Sequence, residues 1–204
     1  MNNLLFSLND FIKNMSDTLG IWYLIILNAF GVIAIILKVS EVQIKSRKTI
    51  LLFALVADIC WVIYFGLQGG FSSSISCFIM MIQVIVFSFR GKYKWATSKI
   101  WLIVFIISHL VMWYITQKTW FDVLPAITGI LSVFAYFVYD EDKYRILIFI
   151  YALIWVVNSS INLYVVSIIS DSLCAVSSFV AIVRYNILKT HKKGVISHSD
   201  IDND

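Results

Sequence analysis

The sequence predicts an all-α integral membrane protein of seven transmembrane helices, ordered 3+1+3 as parallel repeats, with the N-terminus outside and the C-terminus cytoplasmic. Three observations carry this. Seven apolar runs occupy roughly 21–38, 49–67, 70–89, 100–117, 120–139, 144–163 and 164–187, and about 20 apolar residues cross a bilayer as a helix. The connections between them alternate in charge. Residues 61–90 also overlay residues 155–184 without gaps, at an offset of 94.

The charge pattern sets the orientation. Lys38, Lys45, Arg47 and Lys48 follow the first run, and Arg90, Lys92, Lys94 and Lys99 the third. Lys143 and Arg145 follow the fifth, and Arg184, Lys189, Lys192 and Lys193 close the seventh. The other side holds only Lys13 and Lys118. Excess Lys and Arg marks cytoplasmic loops.

Composition excludes other classes. At 60% hydrophobic and 14% charged residues, with a mean hydropathy of +0.87, the chain lies outside the range of soluble domains. The runs lack the ~10-residue alternating pattern of barrel strands. The basic residues anchor loops without the interleaved aromatics that stack bases, so no nucleic-acid partner is expected. Cys60, Cys77 and Cys174 all fall inside runs with no CxxC or Cys/His cluster, so neither a metal site nor a disulfide framework is expected.

Residues 1–20 lack the basic and continuous apolar regions of a signal peptide. Leu4, Leu5, Leu8, Phe11, Ile12, Met15 and Leu19 recur at intervals of three and four, which predicts an amphipathic helix on the outer interface. Residues 21–90 form the first three-helix repeat, 91–119 a linker with the fourth helix, and 120–188 the second repeat. Residues 189–204 form a polar cytoplasmic tail, expected to be disordered. In the overlay, Trp61-Val62 falls on Trp155-Val156, Ser73 on Ser167, Ile75-Ser76 on Ile169-Ser170, Val86 on Val180 and Arg90 on Arg184. Leu27-Asn28-Ala29 likewise resembles Leu124-Pro125-Ala126. A single linker helix leaves both units in the same orientation. Such parallel repeats are one of two transporter plans, with the solute site near the midplane between the units.

The 3+1+3 order resembles the SWEET/MtN3/PQ-loop transporter superfamily. Within it, WVIYFGLQGGFSSSI and WVVNSSINLYVVSIISD…IVR resemble the YgjV-type bacterial inner-membrane proteins over roughly residues 21–188. The resemblance implies a multi-pass bacterial cytoplasmic membrane protein. SWEET-type carriers use prolines in the first helix of both repeats. Here the sole proline is Pro125, its first-repeat counterpart is Asn28, and no Pro-Gln pair occurs. The resemblance therefore implies the fold before any sugar substrate.

Polar side chains within spans need a partner or a wet cavity. Candidate solute contacts are Asn28, Asp58, Trp61, Gln83, Trp155, Asn158 and Asp171, with Pro125, Gly69 and Gly70 as hinges. Asp58 is the candidate for a coupled proton or a cationic solute, against structural pairing with an amide or serine. The stripe Ser167, Ser170/Asp171, Cys174, Ser177/Ser178, Ala181, Arg184 suggests a lined cavity, against close helix packing through small residues. Trp61 and Trp155 offer stacking surfaces, against simple packing. His109 is expected to face outward from the repeats. Arg90 and Arg184 are expected to be snorkelling anchors. No catalytic constellation or phosphate loop occurs, so neither an enzyme nor a cofactor is expected. The functional expectation is a carrier of an unidentified small solute in the bilayer. The alternative is a receptor, scaffold or lipid-binding protein that keeps the fold. One chain holds both repeats, so a homo-oligomer is allowed but not required.

Overall fold

A computed structural model describes residues 2–90, 92–116 and 119–199, with side chains described over 10–90, 92–116 and 119–184. Of the residues used above, Leu4, Leu5, Leu8, Lys189, Lys192 and Lys193 lie outside the described side chains, and Lys118 lies outside the described residues. The chain forms α1 (Asn2–Leu19), α2 (Ile21–Glu41), α3 (Arg47–Leu67), α4 (Phe71–Ser88), α5 (Ile100–Thr116), α6 (Val123–Phe137), α7 (Glu141–Ile161) and α8 (Val165–Ser199). Among the described residues, six segments are long and apolar enough to cross a membrane: α2, α3, α4, Trp120–Phe137, α7 and Val165–Arg184. The apolar α5, of 17 residues, is shorter. It measures about 25 Å at 1.5 Å per residue.

Contacts run in one closed circuit. In the order α2, α3, α4, α6, α7, α8 each helix packs on the next, and α8 returns to α2. Helix α5 sits outside the ring against α4 and α6, and α1 leans on α2. The circuit is apolar outside and polar within. Leu24, Ile25, Val32 and Ile36 of α2 and Leu52, Val56 and Ile59 of α3 are exposed, while Lys38, Glu41, Asp58, Gln83, His109 and Asn158 are buried. A soluble domain has the reverse arrangement. Lipid is the medium that stabilises this one.

Small residues let the helices close. A Cβ on Gly31 of α2 would fall 2.5 Å from Val166 of α8, and one on Gly129 of α6 would fall 2.1 Å from the His109 ring of α5.

Two turns at the same end share one geometry. After α3, Gly69 has φ +73°, Gly69 N–H donates to Gly66 O, and Gly70 N–H to Phe65 O. After α7, Leu163 has φ +57°, Leu163 N–H donates to Ser160 O, and Tyr164 N–H to Ser159 O. Both are left-handed helix caps that satisfy the last carbonyls. Every one of these positions differs by 94, as do the starts of α3 and α7, the ends of α3 and α7, and the starts of α4 and α8.

Arginines hold the other end, called here the basic end. Arg47 of α3 donates to the carbonyls of Tyr136 and Val138, and Arg90, just past α4, donates to that of Phe137. These are the last carbonyls of α6, where orphan acceptors and the helix dipole both favour a cation. In return, Arg145 of α7 donates to Val42 O at 3.2 Å and Ile44 O at 3.4 Å, just past α2. Arg90 is thus not a free snorkelling anchor: its guanidinium lies 3.8 Å from the centre of the Phe137 ring.

The tail differs from its expectation. Helix α8 runs on to Ser199, because the stretch after Arg184 has no proline and a single glycine, Gly194, to interrupt it. Residues 200–204 lie outside the described residues.

Candidate functional site

Helix α2 buries one stripe: Tyr23, Leu27, Gly31, Ala34, Lys38, Glu41. Intervals of three and four place all six on one face. That face meets α3 and α8, and at Lys38 and Glu41 it reaches α6 and α7. Lys38 Nζ lies 3.2 Å from Glu41 Oε2, 3.8 Å from Asp58 Oδ1 of α3 and 3.3 Å from the Tyr136 hydroxyl of α6, to which it donates. The Tyr144 hydroxyl of α7 donates to Glu41 Oε1. Lys38 also lies 5.7 Å from the centre of the Tyr151 ring. Lys38, Glu41 and Asp58 are 5%, 0% and 0% exposed, so water does not screen them. Among the described residues, neither Asp58 oxygen receives a hydrogen bond, nor does Glu41 Oε2.

An aromatic stack closes the interior above this cluster. Trp61 and Phe65 stand one and two turns beyond Asp58 on α3. The Phe65 ring is stacked between Trp61 at 5.3 Å and Trp155 of α7 at 5.4 Å, with Tyr164 tilted against it at 5.3 Å.

Beyond the stack, at the end opposite the arginines, lies a cavity of about 130 Å³ lined by Gly69, Gly70, Ser73, Asp122, Asn158 and Tyr164 among others. Asn158 is 1% exposed, and its amide nitrogen has no hydrogen-bond partner among the described residues. Burial first, and Asp122 second, push the Tyr164 phenol up, so it stays a protonated donor. Beside this region Asp171 of α8 accepts from Ser167 at 3.0 Å and Ser159 at 3.4 Å, the two serines themselves being 2.7 Å apart.

The Imp-YgjV family model, described as bacterial inner membrane protein, matches residues 25–189. The chain belongs to this family. No curated protein and no solved structure matches it. As a member of the Imp-YgjV family with six membrane-length apolar helices, it is a multi-pass inner membrane protein.

Within this Imp-YgjV fold the sequence candidates separate into groups. Asp58 joins the charged cluster. Trp61 and Trp155 meet through Phe65 and are buried as packing partners of one stack. Asn158 lines the cavity together with Gly69, Gly70 and Pro125. Gly70 has no room for a side chain, because a Cβ there would lie 2.4 Å from the Tyr164 hydroxyl. The Pro125 carbonyl accepts from Ser76 at 2.9 Å and Thr128 at 3.0 Å. Asp171 is satisfied by serines. Gln83 stands apart: its amide nitrogen lies 2.7 Å from His109 Nε2, and its oxygen accepts from Ser132 at 2.8 Å.

Two placements correct the expectation. Asn28 is exposed on the outer face of α2, its amide bonded back to Leu24 O at 2.8 Å, and so belongs to no interior site. His109 does not face outward: it is fully buried between α5, α4 and α6. Gly129, lacking a Cβ, makes the room for its ring.

Lys38, Glu41, Tyr136 and Tyr144 went unread as site residues. Lys38 was assigned to a basic loop, whereas it turns inward. The available signal was the stripe itself: Lys38 and Glu41 continue the buried register of Leu27, Gly31 and Ala34. Among the described residues, no group of three or more His, Cys, Asp or Glu is arranged to hold a metal ion.

Proposed function

We propose that this protein carries a small polar solute across the inner membrane, using two parallel three-helix units, α2–α4 and α6–α8, with α5 as a seventh, linking span. The single observation that carries the reading is the graded interior. A polar cavity is open at one end, an aromatic stack closes it, a buried charged cluster lies below, and arginine-bonded helix ends seal the far side. A merely structural bundle has no use for three ionisable side chains held in its core.

The parallel-repeat order is supported by the recurrence of the capped turns at an offset of 94 and by the ring circuit. In that circuit the pair α4·α6 corresponds to α8·α2. The SWEET-like plan draws on the same features. Positive charge concentrated at the arginine-bonded end supports a reading in which that end faces the cytoplasm and the cavity mouth the outside. The state described is then outward-open and inward-closed, and the turns at Gly69-Gly70 and Leu163-Tyr164 flank the mouth.

The cavity sets the solute class. Drug-sized ligands occupy about 300–1,000 Å³, so ~130 Å³ suits a solute of few heavy atoms that hydrogen-bonds to Asn158, Tyr164 and Asp122. The same stack also favours a second reading, a non-transporting receptor or scaffold whose aromatics fill the interior permanently.

Thermal unfolding of the purified protein, screened against small polyols, amides, amino acids and cations, separates the two. Ligand at ~100 times Kd raises apparent stability by about 2.7 kcal/mol. A class-selective shift that Asn158→Leu abolishes supports the carrier. No shift with any class supports the scaffold.

A further inference from the structure

We propose that Asp58 is the binding site of a coupling proton, poised against the Lys38–Glu41 ion pair. This rests on the carrier reading above and names its driving ion.

The first step is charge. The cluster holds one cation, Lys38, and two carboxyls, Glu41 and Asp58, with side chains no more than 6% exposed. The other titratable groups around it bring no positive charge. Cys77 faces it from α4, Tyr136 from α6, Tyr144 and Tyr151 from α7, and Cys174 and Asp171 from α8. Arg145 is spent at the basic end on the α2–α3 carbonyls and on Asp142 and Glu141. With both carboxyls ionised, the core would carry an unbalanced negative charge out of reach of water, which is strongly unfavourable. A proton on one carboxyl balances it.

Geometry chooses between the two. Glu41 Oε1 accepts from the Tyr144 hydroxyl, and the Lys38 ammonium lies 3.2 Å from Oε2, closer than to Asp58, although Oε2 itself receives no hydrogen bond among the described residues. These stabilise the carboxylate. Asp58 has only the ammonium, at 3.8 Å, and neither oxygen receives a hydrogen bond. The proton therefore resides on Asp58. A metal cation does not fit there, since the Lys38 ammonium already occupies the space between the carboxyls and repels a second positive charge.

Lys38 gives the proton a mechanical consequence. Through Tyr136 it ties α2 to α6 across the two units, while Asp58 of α3 stands 3.8 Å away. With the proton on Asp58 only that tie holds; loss of the proton leaves a carboxylate that draws Lys38 toward α3. The residue at an offset of 94 from Asp58 is Ala152, so a single unit carries the device.

Infrared pH titration of the purified protein in lipid bilayers, in H2O and D2O, tests this without any solute. The wild type should show a protonated, buried carboxyl at neutral pH. Asp58→Asn should lose one carboxyl equivalent at every pH, whereas Asp171→Asn should leave it in place. Glu41→Gln frees Lys38 to pair with Asp58, so the band should be lost at neutral pH and return in acid. Lys38→Met should double it, because both carboxyls then hold protons. A band that survives Asp58→Asn, or that Glu41→Gln removes at all pH values, overturns the assignment. So does a wild type with no protonated carboxyl at neutral pH. The full pattern in a chain that binds and moves no solute would sink the carrier reading while leaving the proton site standing.

Discussion

Lys38→Met probes the buried cluster most sharply. Methionine nearly matches the lysine stem in length and volume, so the substitution opens little cavity and the change isolates the ammonium. Three interactions go with it: the 3.2 Å pair with Glu41, the 3.8 Å pair with Asp58 and the 3.3 Å hydrogen bond to Tyr136. Removing one partner of a buried ion pair costs about 3–5 kcal/mol, because the remaining charge is uncompensated. The variant should lose stability in that range. The triple variant Lys38→Met/Glu41→Gln/Asp58→Asn removes the charges together, and replacing a whole buried set by neutral groups is neutral or stabilising by about 1–4 kcal/mol. It should therefore recover most of the loss, a non-additivity well above the ~0.5 kcal/mol seen for independent sites. Reversible unfolding in mixed micelles, followed by tryptophan fluorescence, measures this, with the buried Trp61 and Trp155 as reporters. A loss in Lys38→Met below ~1 kcal/mol, against the 3–5 expected, refutes the claim that the ammonium holds two buried carboxyls. A triple variant no more stable than Lys38→Met does the same.

Other substitutions test the frame around the cluster. Leu163 holds a left-handed conformation at 78% exposure, so Leu163→Gly should raise unfolding stability by about 1 kcal/mol, while Gly69→Leu in the matching turn should lower it by ~1–2 kcal/mol. Gly129→Ala drives a methyl into a fully buried histidine ring. It should cost about 1–3 kcal/mol, measured by the same unfolding assay, and the loss should shrink when His109→Ala is added.

Much of the fold was legible because a membrane span is written locally. A run of about 20 apolar residues, a charged or glycine-rich break and a three-four spacing each declare themselves within one segment. That is why the helix ends and the offset of 94 emerged from the residues alone. The site was legible only in part. Asp58 stood out as an isolated carboxyl in mid-helix, yet its partner Lys38 sits three residues from the end of α2, where charge normally marks a loop. Asn28 and Asn158 look alike in sequence, but one faces lipid and the other the cavity, and only the choice of packing partner decides that. For Trp61 and Trp155 the sequence leaves stacking platforms and simple packing both open, and the structure shows packing. Phe65, which packs between them, carries no signal of that role, because no local spacing says which face of one helix will meet another. His109 was misplaced for the same reason: the space it fills is made by the absent side chain of Gly129, on a different helix.

The measurement closest to the central claim is a pair of spin-label distances taken on the protein in lipid bilayers. One pair, on Lys48 and Lys143, spans the basic end between the two units; the other, on Gln68 and Leu163, spans the opposite end. Rocking of two units about a central site should yield two populations for each pair. When the pH is raised until Asp58 ionises, the balance of the two populations should shift in opposite senses at the two ends, and Asp58→Asn should keep the neutral-pH distances at every pH. A single distance at each end, unmoved by pH, would contradict alternating access and leave a rigid bundle.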